Sequence, residues 1–255
     1  MICREFEIVS RQELVPGVFD YKIHCPELVA EASPGQFVHI RCGERSLRRP
    51  ISICALDRGA GELRLVFEVR GEGTKELSQL DAGDRMDILG PLGHGFELLD
   101  PGARAVVVGG GIGTPPLLEV ARHYGERCQA ILGFRSVKNL ILDQDFASTC
   151  GTVVCTDDGS WGVQGTVLPA LEAALQGFCP QIVYACGPKP MLKGIQELCA
   201  RYPVRCQLSL EERMGCGVGA CLVCACKTRA EDGQENYAHV CKDGPVFEAQ
   251  SVVFE

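Results

Sequence analysis

VVVGGGIGTPPLLEVA, Val106 to Ala121, reads as an apolar strand that enters a glycine turn and leaves along a helix with proline in its first turn. Such a turn lets phosphates approach the backbone and the positive end of the helix. Outward from it, the strand-like runs QAILGF, TVVCT and QIVYACG alternate with the helix-like runs PPLLEVARHYGE, TVLPALEAALQGF and KPMLKGIQELCARY. This alternation implies right-handed crossovers onto a parallel sheet covered on both faces, a doubly wound α/β domain over residues 102–204. The turn is not the standard dinucleotide fingerprint. Thr114 stands where the third glycine usually falls, and the next strand end, LGFRS, offers no acidic residue for a ribose. On these residues alone, a glycine turn that binds nothing stays open.

Upstream, residues 1–101 read as short strands punctuated by Gly, Pro and Asp. In GELRLVFEVRG, Leu63, Leu65, Phe67 and Val69 alternate with Arg64, Val66, Glu68 and Arg70, largely the pattern of a strand with one buried face. Several such strands predict a small closed antiparallel β barrel, since closure removes exposed edges. LLDPGAR, Leu98 to Arg104, marks the boundary. Downstream, residues 205–255 are rich in Gly and Cys and too short to bury an adequate core alone, so something besides packing must order them.

A net charge of -8, with no basic cluster beyond RSLRRP, argues against a nucleic-acid partner. The opening MICREFEIVSRQE lacks the apolar run of an export signal, and no later stretch reaches the ~18 apolar residues of a membrane span. We therefore expect a cytoplasmic protein without a membrane partner. In a reducing compartment, sixteen cysteines point to metal, redox chemistry or buried thiols rather than to disulfides.

Four of those cysteines lie within MGCGVGACLVCACK, Met214 to Lys227. Cys216, Cys221 and Cys224 keep a C-x4-C-x2-C spacing and Cys241 follows at a distance, the plant-type [2Fe-2S] pattern. Two bridged irons need four thiolates converging from one side, and Gly215, Gly217 and Gly219 let the backbone wrap and aim N–H groups at sulfur. Zinc is the competing metal, but zinc sites usually show two C-x2-C pairs and here there is one. Cys226 has no place in the spacing and reads as a bystander. RRPISI (Arg48 to Ile53) and GEGT (Gly71 to Thr74) are weaker signals: an Arg that can pair with a diphosphate, a Ser that can bond a flavin edge, and a turn that can donate to phosphate.

RRPISI, GEGT, GPLGHGF, VGGGIGTPPLLEVA, TDDGSWG, ACGPKPML, MGCGVGACLVCACK and VCKDGPVF occur in this order along essentially the whole chain. Together they resemble flavin reductases of the ferredoxin-NADP reductase type with a [2Fe-2S] segment, and more narrowly the electron-transfer subunits of NAD-linked, two-component dihydroorotate dehydrogenases. The resemblance implies an FAD-binding barrel, an NAD-binding α/β domain and a small C-terminal [2Fe-2S] domain held by Cys216, Cys221, Cys224 and Cys241. It implies FAD along Arg49, Pro50, Ile51 and Ser52, with Phe67 and Val69 beside it and Gly73 and Thr74 at the phosphates. It implies NAD(H) over Gly109, Gly110, Gly111 and Gly113, with Asp157, Asp158 and the turn of Cys186, Gly187 and Pro188 at the nicotinamide end. The implied partner is an FMN-containing catalytic subunit, two copies of each chain per complex, and the implied role is in pyrimidine synthesis. A related relay to ferredoxin or a sulfur compound is the alternative.

Several residues have plainer readings. Cys186 can be a small buried residue at a strand end, His94 an exposed loop histidine, and Asp157 and Asp158 a turn cap. Two departures from the family stand out. Glu68 occupies a position where Arg is common, which sets a carboxylate near a diphosphate unless it turns away, and no Tyr is present in RPIS to stack on a flavin. The choice of NADH over NADPH follows the resemblance alone, since Arg135 in GFRS is also readable as a 2′-phosphate contact.

Overall fold

Period-two alternation closes the first segment of the computed structural model into a barrel. Among the residues the structure describes, 1–230 and 232–254, six strands form it: β1 (Ile2–Val15), β2 (Val18–His24), β3 (Phe37–Ile40), β4 (Arg49–Asp57), β5 (Glu62–Glu68) and β6 (Arg85–Leu92). They pair antiparallel in the order β1-β2-β5-β4-β3-β6, and β6 returns to β1. Leu63, Leu65 and Phe67 point into the barrel core with Tyr21, Ile40 and Ile53, whereas Val66 of the same strand packs outward against the neighbouring domain. Two short helices, α1 (Pro26–Glu31) and α2 (Glu72–Leu77), complete this part.

The second part is a sheet of β7 (Ala105–Gly110), β8 (Cys128–Phe134), β9 (Gly151–Thr156), β10 (Val163–Gln164), β11 (Ile182–Cys186) and β12 (Arg205–Ser209), all parallel. The order β10-β9-β8-β7-β11-β12 reverses between β7 and β11, which is where doubly wound sheets open a ligand crevice at the carboxyl ends of their strands. Helices α3 (Leu118–Tyr124) and α4 (Asp143–Ala147) cover one face, and α5 (Val167–Gly177) and α6 (Lys189–Cys199) the other. Val106 and Val108 accordingly point to one core and Ala105 and Val107 to the other, the both-sides burial of a central strand.

Two findings differ from the sequence reading. The expected boundary at 204/205 falls just before β12, a strand of the seven-stranded sheet. That sheet also takes an antiparallel edge strand, β15 (Val246–Glu248), from the C-terminal segment. The segment thus borrows its neighbour's core rather than lacking one: Cys224, Cys226, Val240 and Cys241 share a cluster with Val183, Ile195 and Leu208. Gln196 donates to the Ala249 and Val252 carbonyls, and Arg205 and Gln207 bond Glu248. The hairpin of β13 (Ala225–Arg229) and β14 (Glu235–His239) forms a sheet of its own. Positions 231 and 255 of the expected segment lie outside the described residues.

Barrel and sheet are clasped by Arg64, which bonds Asp20 inside the barrel part and Asp145 on α4. Among the described residues no helix is long and apolar enough to cross a membrane.

Candidate functional site

Cys216, Cys221 and Cys224 lie in the loop before β13 and Cys241 in the turn after β14, and the backbone N–H groups of both are spent on sulfur. Val218 and Ala220 donate to Cys216 Sγ at 3.4 and 3.2 Å, Cys216 to Cys221 Sγ at 3.3 Å, Gly219 to Cys241 Sγ at 3.1 Å, and Cys241 to Cys224 Sγ at 3.4 Å. Gly217 and Gly219 make this possible with φ of +72° and +81°, a backbone that side chains rarely adopt. The thiols meet in twos, Cys216 with Cys221 and Cys224 with Cys241. Two thiolates per iron is the demand of a two-iron cluster, so the donor set and its amide cradle fit one. Cys226 lies outside these pairs on β13, and burial pushes its thiol up to about 11.

The thiols differ in acidity. Partial burial raises Cys216, but the N–H groups of Val218 and Ala220, together with Cys221, outweigh it and bring the thiol down to about 6. Burial, and then contact with the Cys224 thiol, push Cys241 up to about 12. The thiolate is the nucleophile, so the lowered, less buried thiol of Cys216 is the more reactive of the two. In metal-free protein at pH 7, Cys216 should therefore alkylate with iodoacetamide well before Cys241. Peptide mass spectrometry over a time course checks this, and Cys241 labelling first would contradict it.

In the barrel, RPIS occupies β4 and splits by parity. Ile51 and Ile53 point into the barrel core while Arg49, Pro50 and Ser52 remain partly exposed. The Ile51 side chain is therefore turned into the barrel core, and Pro50 is the apolar residue of RPIS left partly exposed. Phe67 is corrected for the same reason: it is 2% exposed inside the barrel and stacks on Tyr21 at 5.5 Å, so its ring reaches no external ligand. Val69 packs partly against the same core. The two arginines also divide. Arg48 is committed to Asp87 at 2.9 and 3.1 Å and to the His39 and Asp87 carbonyls. Arg49, for which no carboxylate partner is found among the described residues, lies over Gly73, where an added Cβ would sit 2.8 Å from Nε. Thr74 Oγ1 accepts from Arg70 N–H at 2.9 Å and from Gly71 N–H at 3.3 Å, fixing the turn before α2. Glu68 does turn away: it bonds Arg70 at 2.8 Å, and Arg70 reaches Glu211 at 3.4 Å.

At the crevice of the sheet, the glycines differ in purpose. An added Cβ at Gly110 would meet Met191 Sδ at 2.6 Å, and one at Gly113 would meet the Cys186 carbonyl at 2.5 Å. Gly109 would collide with Thr114. Gly111 has φ of +54° and nothing within 4 Å of its Cβ position, so its face is the one left open to a ligand. The expected helix begins late: two 3-10 turns, Gly111–Gly113 and Pro115–Leu117, precede α3, because Pro115 and Pro116 bring no N–H to a first α turn. Gly187 and Pro188 continue the turn from β11 toward α6, with Gly187 also against Met191. Cys186 is half-buried and packs beneath this turn; burial of its sulfur pushes the thiol up to about 12, with a Ser209 hydrogen bond pulling the other way. Asp158 Oδ1 accepts from Ser160 N–H and Oγ at 2.9 and 2.6 Å, the turn-capping role, while the exposed Asp157 anchors only its N–H, on Phe134 O at 3.1 Å. His94 is exposed, and its backbone N–H is fastened to Gly244 O at 2.6 Å.

One residue was not singled out by the sequence reading. His39, in the middle of β3, is 1% exposed, and neither ring nitrogen has a hydrogen-bond partner. Leaving a buried polar group unpaired costs roughly 1–3 kcal/mol, which makes such a ring a place to look for a missing partner. Its signal in sequence is a histidine inside the otherwise apolar run Phe37–Ile40.

Two family patterns match the chain: the iron-sulfur cluster binding domain of dihydroorotate dehydrogenase B over residues 211–253, and the oxidoreductase FAD-binding domain over residues 5–96. The chain is 44% identical over 263 residues, 99% of its length and 100% of the relative's, to the dihydroorotate dehydrogenase B (NAD(+)) electron transfer subunit of Geobacillus thermodenitrificans. It is 40% identical to the subunit of that name from Streptococcus mutans, with both chains fully covered. Among solved structures it is similar to an NADH-dependent reduced ferredoxin-NADP oxidoreductase, at TM-score 0.86 and 32% identity over 97% of this chain and 89% of that one. A Neisseria gonorrhoeae ferredoxin NADP+ reductase, at TM-score 0.63 and 17% identity over 78% of this chain and 91% of that one, shares the fold alone.

Proposed function

Because this chain belongs to the family of dihydroorotate dehydrogenase B (NAD(+)) electron transfer subunits, we propose that it relays electrons between a dihydroorotate-oxidising partner subunit and NAD in pyrimidine synthesis. The observation that carries this reading is the paired-thiol loop, wrapped in its own N–H groups and set against the barrel strand next to RPIS. FAD converts a hydride into single electrons, and a [2Fe-2S] cluster carries them singly.

The chain's own residues bind, orient and exclude water. Arg49, with no carboxylate partner found and lying above Gly73, supplies a fork for a diphosphate, and Thr74 holds the turn that donates to it. Pro50 and Ser52 face outward from β4 to cover and bond a flavin edge. Gly111 offers open backbone to the NAD phosphates, and the Cys186-Gly187-Pro188 turn closes the crevice at the nicotinamide end. Burial holds Cys186 as the thiol, and positioning the two rings is the task of this turn. Asp157 is free for a ribose contact, whereas Asp158 caps its turn.

The partner supplies FMN and the base for the pyrimidine carbon, with two copies of each chain in the complex. Val218, Leu222 and Val223 support docking beside the cluster: they are 41%, 61% and 58% exposed in the ligand loop. Sixteen cysteines, all free, support a reducing cytoplasmic setting. A relay to ferredoxin is the second reading, favoured by the 0.86 TM-score above, but full-length identity of 40–44% places the chain with the dihydroorotate enzymes.

The deciding experiment is an anaerobic absorbance spectrum before and after stoichiometric NADH, with iron and sulfide assayed on the same sample. Flavin bands and a red shoulder that bleach with NADH, at ~2 iron per chain, are expected. A colourless protein that binds zinc would overturn the proposal.

A further inference from the structure

The geometry points to His39 as a positioning residue for the cluster: its ring, wedged against the Cys216-Gly217 peptide from the strand next to RPIS, backs the turn whose N–H groups serve the cluster sulfurs.

Four observations meet at this ring. β3 alternates, with Val38 and Ile40 inside the barrel, so Phe37 and His39 face out; Phe37 joins the core that also holds Cys224 and Cys241. His39 is paired in register with Pro50, the outward residue of the RPIS strand. On its other side is the ligand loop: an added Cβ at Gly217 would fall 2.5 Å from Nδ1 and 3.0 Å from Cε1. Backbone groups of Cys216 and Arg48 lie close enough to act on the ring, yet neither makes a hydrogen bond of normal geometry. The imidazole is thus a buried, unpaired polar group wedged between the strand beside RPIS and the peptide that follows the first cluster ligand.

A small closure between ring N–H and the Cys216 carbonyl would give the ring its partner. That peptide begins the turn from which Val218, Gly219 and Ala220 donate to Cys216 and Cys241. N–H donors to sulfur favour the reduced cluster, which carries one more negative charge, and so raise its potential. Loosening the peptide should weaken those bonds and lower it. Outer partners of metal ligands typically matter at the 10–100-fold level.

The inference rests on the cluster assignment above, and its test separates the two. The whole chain, with FAD and cluster bound, is titrated electrochemically and followed by EPR and absorbance, the flavin couple serving as internal reference. His39→Leu removes the donor, and His39→Gln retains an N–H at similar reach. We expect His39→Leu to lower the reduced-to-oxidised cluster ratio at fixed potential about tenfold or more relative to the flavin, equivalent to about 59 mV for one electron, with altered EPR g values. His39→Gln should recover most of the shift. If His39→Leu holds no iron, a His39→Gln protein with normal iron and near-normal potential still supports the assignment. Unchanged potential and g values in an iron-replete His39→Leu protein would overturn it, as would a glutamine variant as impaired as the leucine one. Absence of iron and sulfide from the unmodified chain would instead overturn the cluster reading itself.

Discussion

Cys224→Ala should strip the iron from the chain while leaving NADH able to bleach the flavin. Cys224 is 2% exposed, its sulfur accepts the Cys241 N–H at 3.4 Å, and its carbonyl accepts the Val240 N–H at 3.0 Å. Alanine keeps the backbone bond from Val240 and removes the sulfur, and with it both the acceptor for the Cys241 N–H and one thiolate of the Cys224 and Cys241 pair. Three thiolates cannot complete two tetrahedral irons, so iron should fall from ~2 per chain to a small fraction. Electron passage to the partner subunit should drop by more than the roughly 10–100-fold that loss of a mere outer partner costs. The flavin contacts stand on a different core, the barrel interior of Ile53, Leu65 and Phe67, and should survive. Iron and sulfide analysis, FAD content and anaerobic NADH titration read the two halves separately. The comparison variant is Cys226→Ala. Should that protein lose the iron while Cys224→Ala keeps it, the ligand set proposed here is wrong.

The contrast between Cys224 and Cys226 also shows what was legible in the chain. Spacing alone separated them, because ligand number and backbone reach are properties of the sequence. The barrel and the doubly wound sheet were legible for a similar reason: alternation in GELRLVFEVRG and the strand-helix rhythm after Val106 are local patterns that tertiary packing had no cause to override. What local pattern could not show was parity within a strand. Ile51 and Phe67 belong to segments expected to border the flavin, yet each side chain takes the inward turn of its strand. Nor could it show borrowed structure. β12 and β15 join the sheet from opposite sides of the cluster loop, as the register of Gln207, Leu208 and Ser209 with Glu248, Phe247 and Val246 shows. His39 escaped notice because a lone histidine in an apolar strand has no spacing to match; its significance comes from Gly217, far away in sequence.

Gly113→Ala should cripple NADH use with the flavin and cluster spectra intact. The added methyl would lie 2.5 Å from the Cys186 carbonyl oxygen, 2.6 Å from its carbon and 2.7 Å from Gly187 Cα. These are backbone atoms, so no side chain can swing aside. Cys186 is paired with Gly109 of β7 and Ser209 of β12, and retreat would strain the sheet at its point of reversal. Overpacking of this kind costs about 1–3 kcal/mol. The strain falls on the crevice between the Gly111 backbone and the Cys186-Gly187-Pro188 turn, so we expect it chiefly as lost NADH affinity. That converts to a roughly 5- to 150-fold rise in KM for NADH. Neither the paired thiols nor Arg49 touches this contact, so iron, sulfide and FAD content should match the unmodified protein. Steady-state reduction of ferricyanide across an NADH series gives the KM. A value within twofold of the unmodified chain, in a protein that holds both cofactors, would mean that NADH does not bind over this turn. Gly111→Ala is the companion variant: no protein atom lies within 4 Å of its Cβ position, so any loss there comes from the +54° φ or from the methyl meeting the nucleotide itself, not from crowding within the protein.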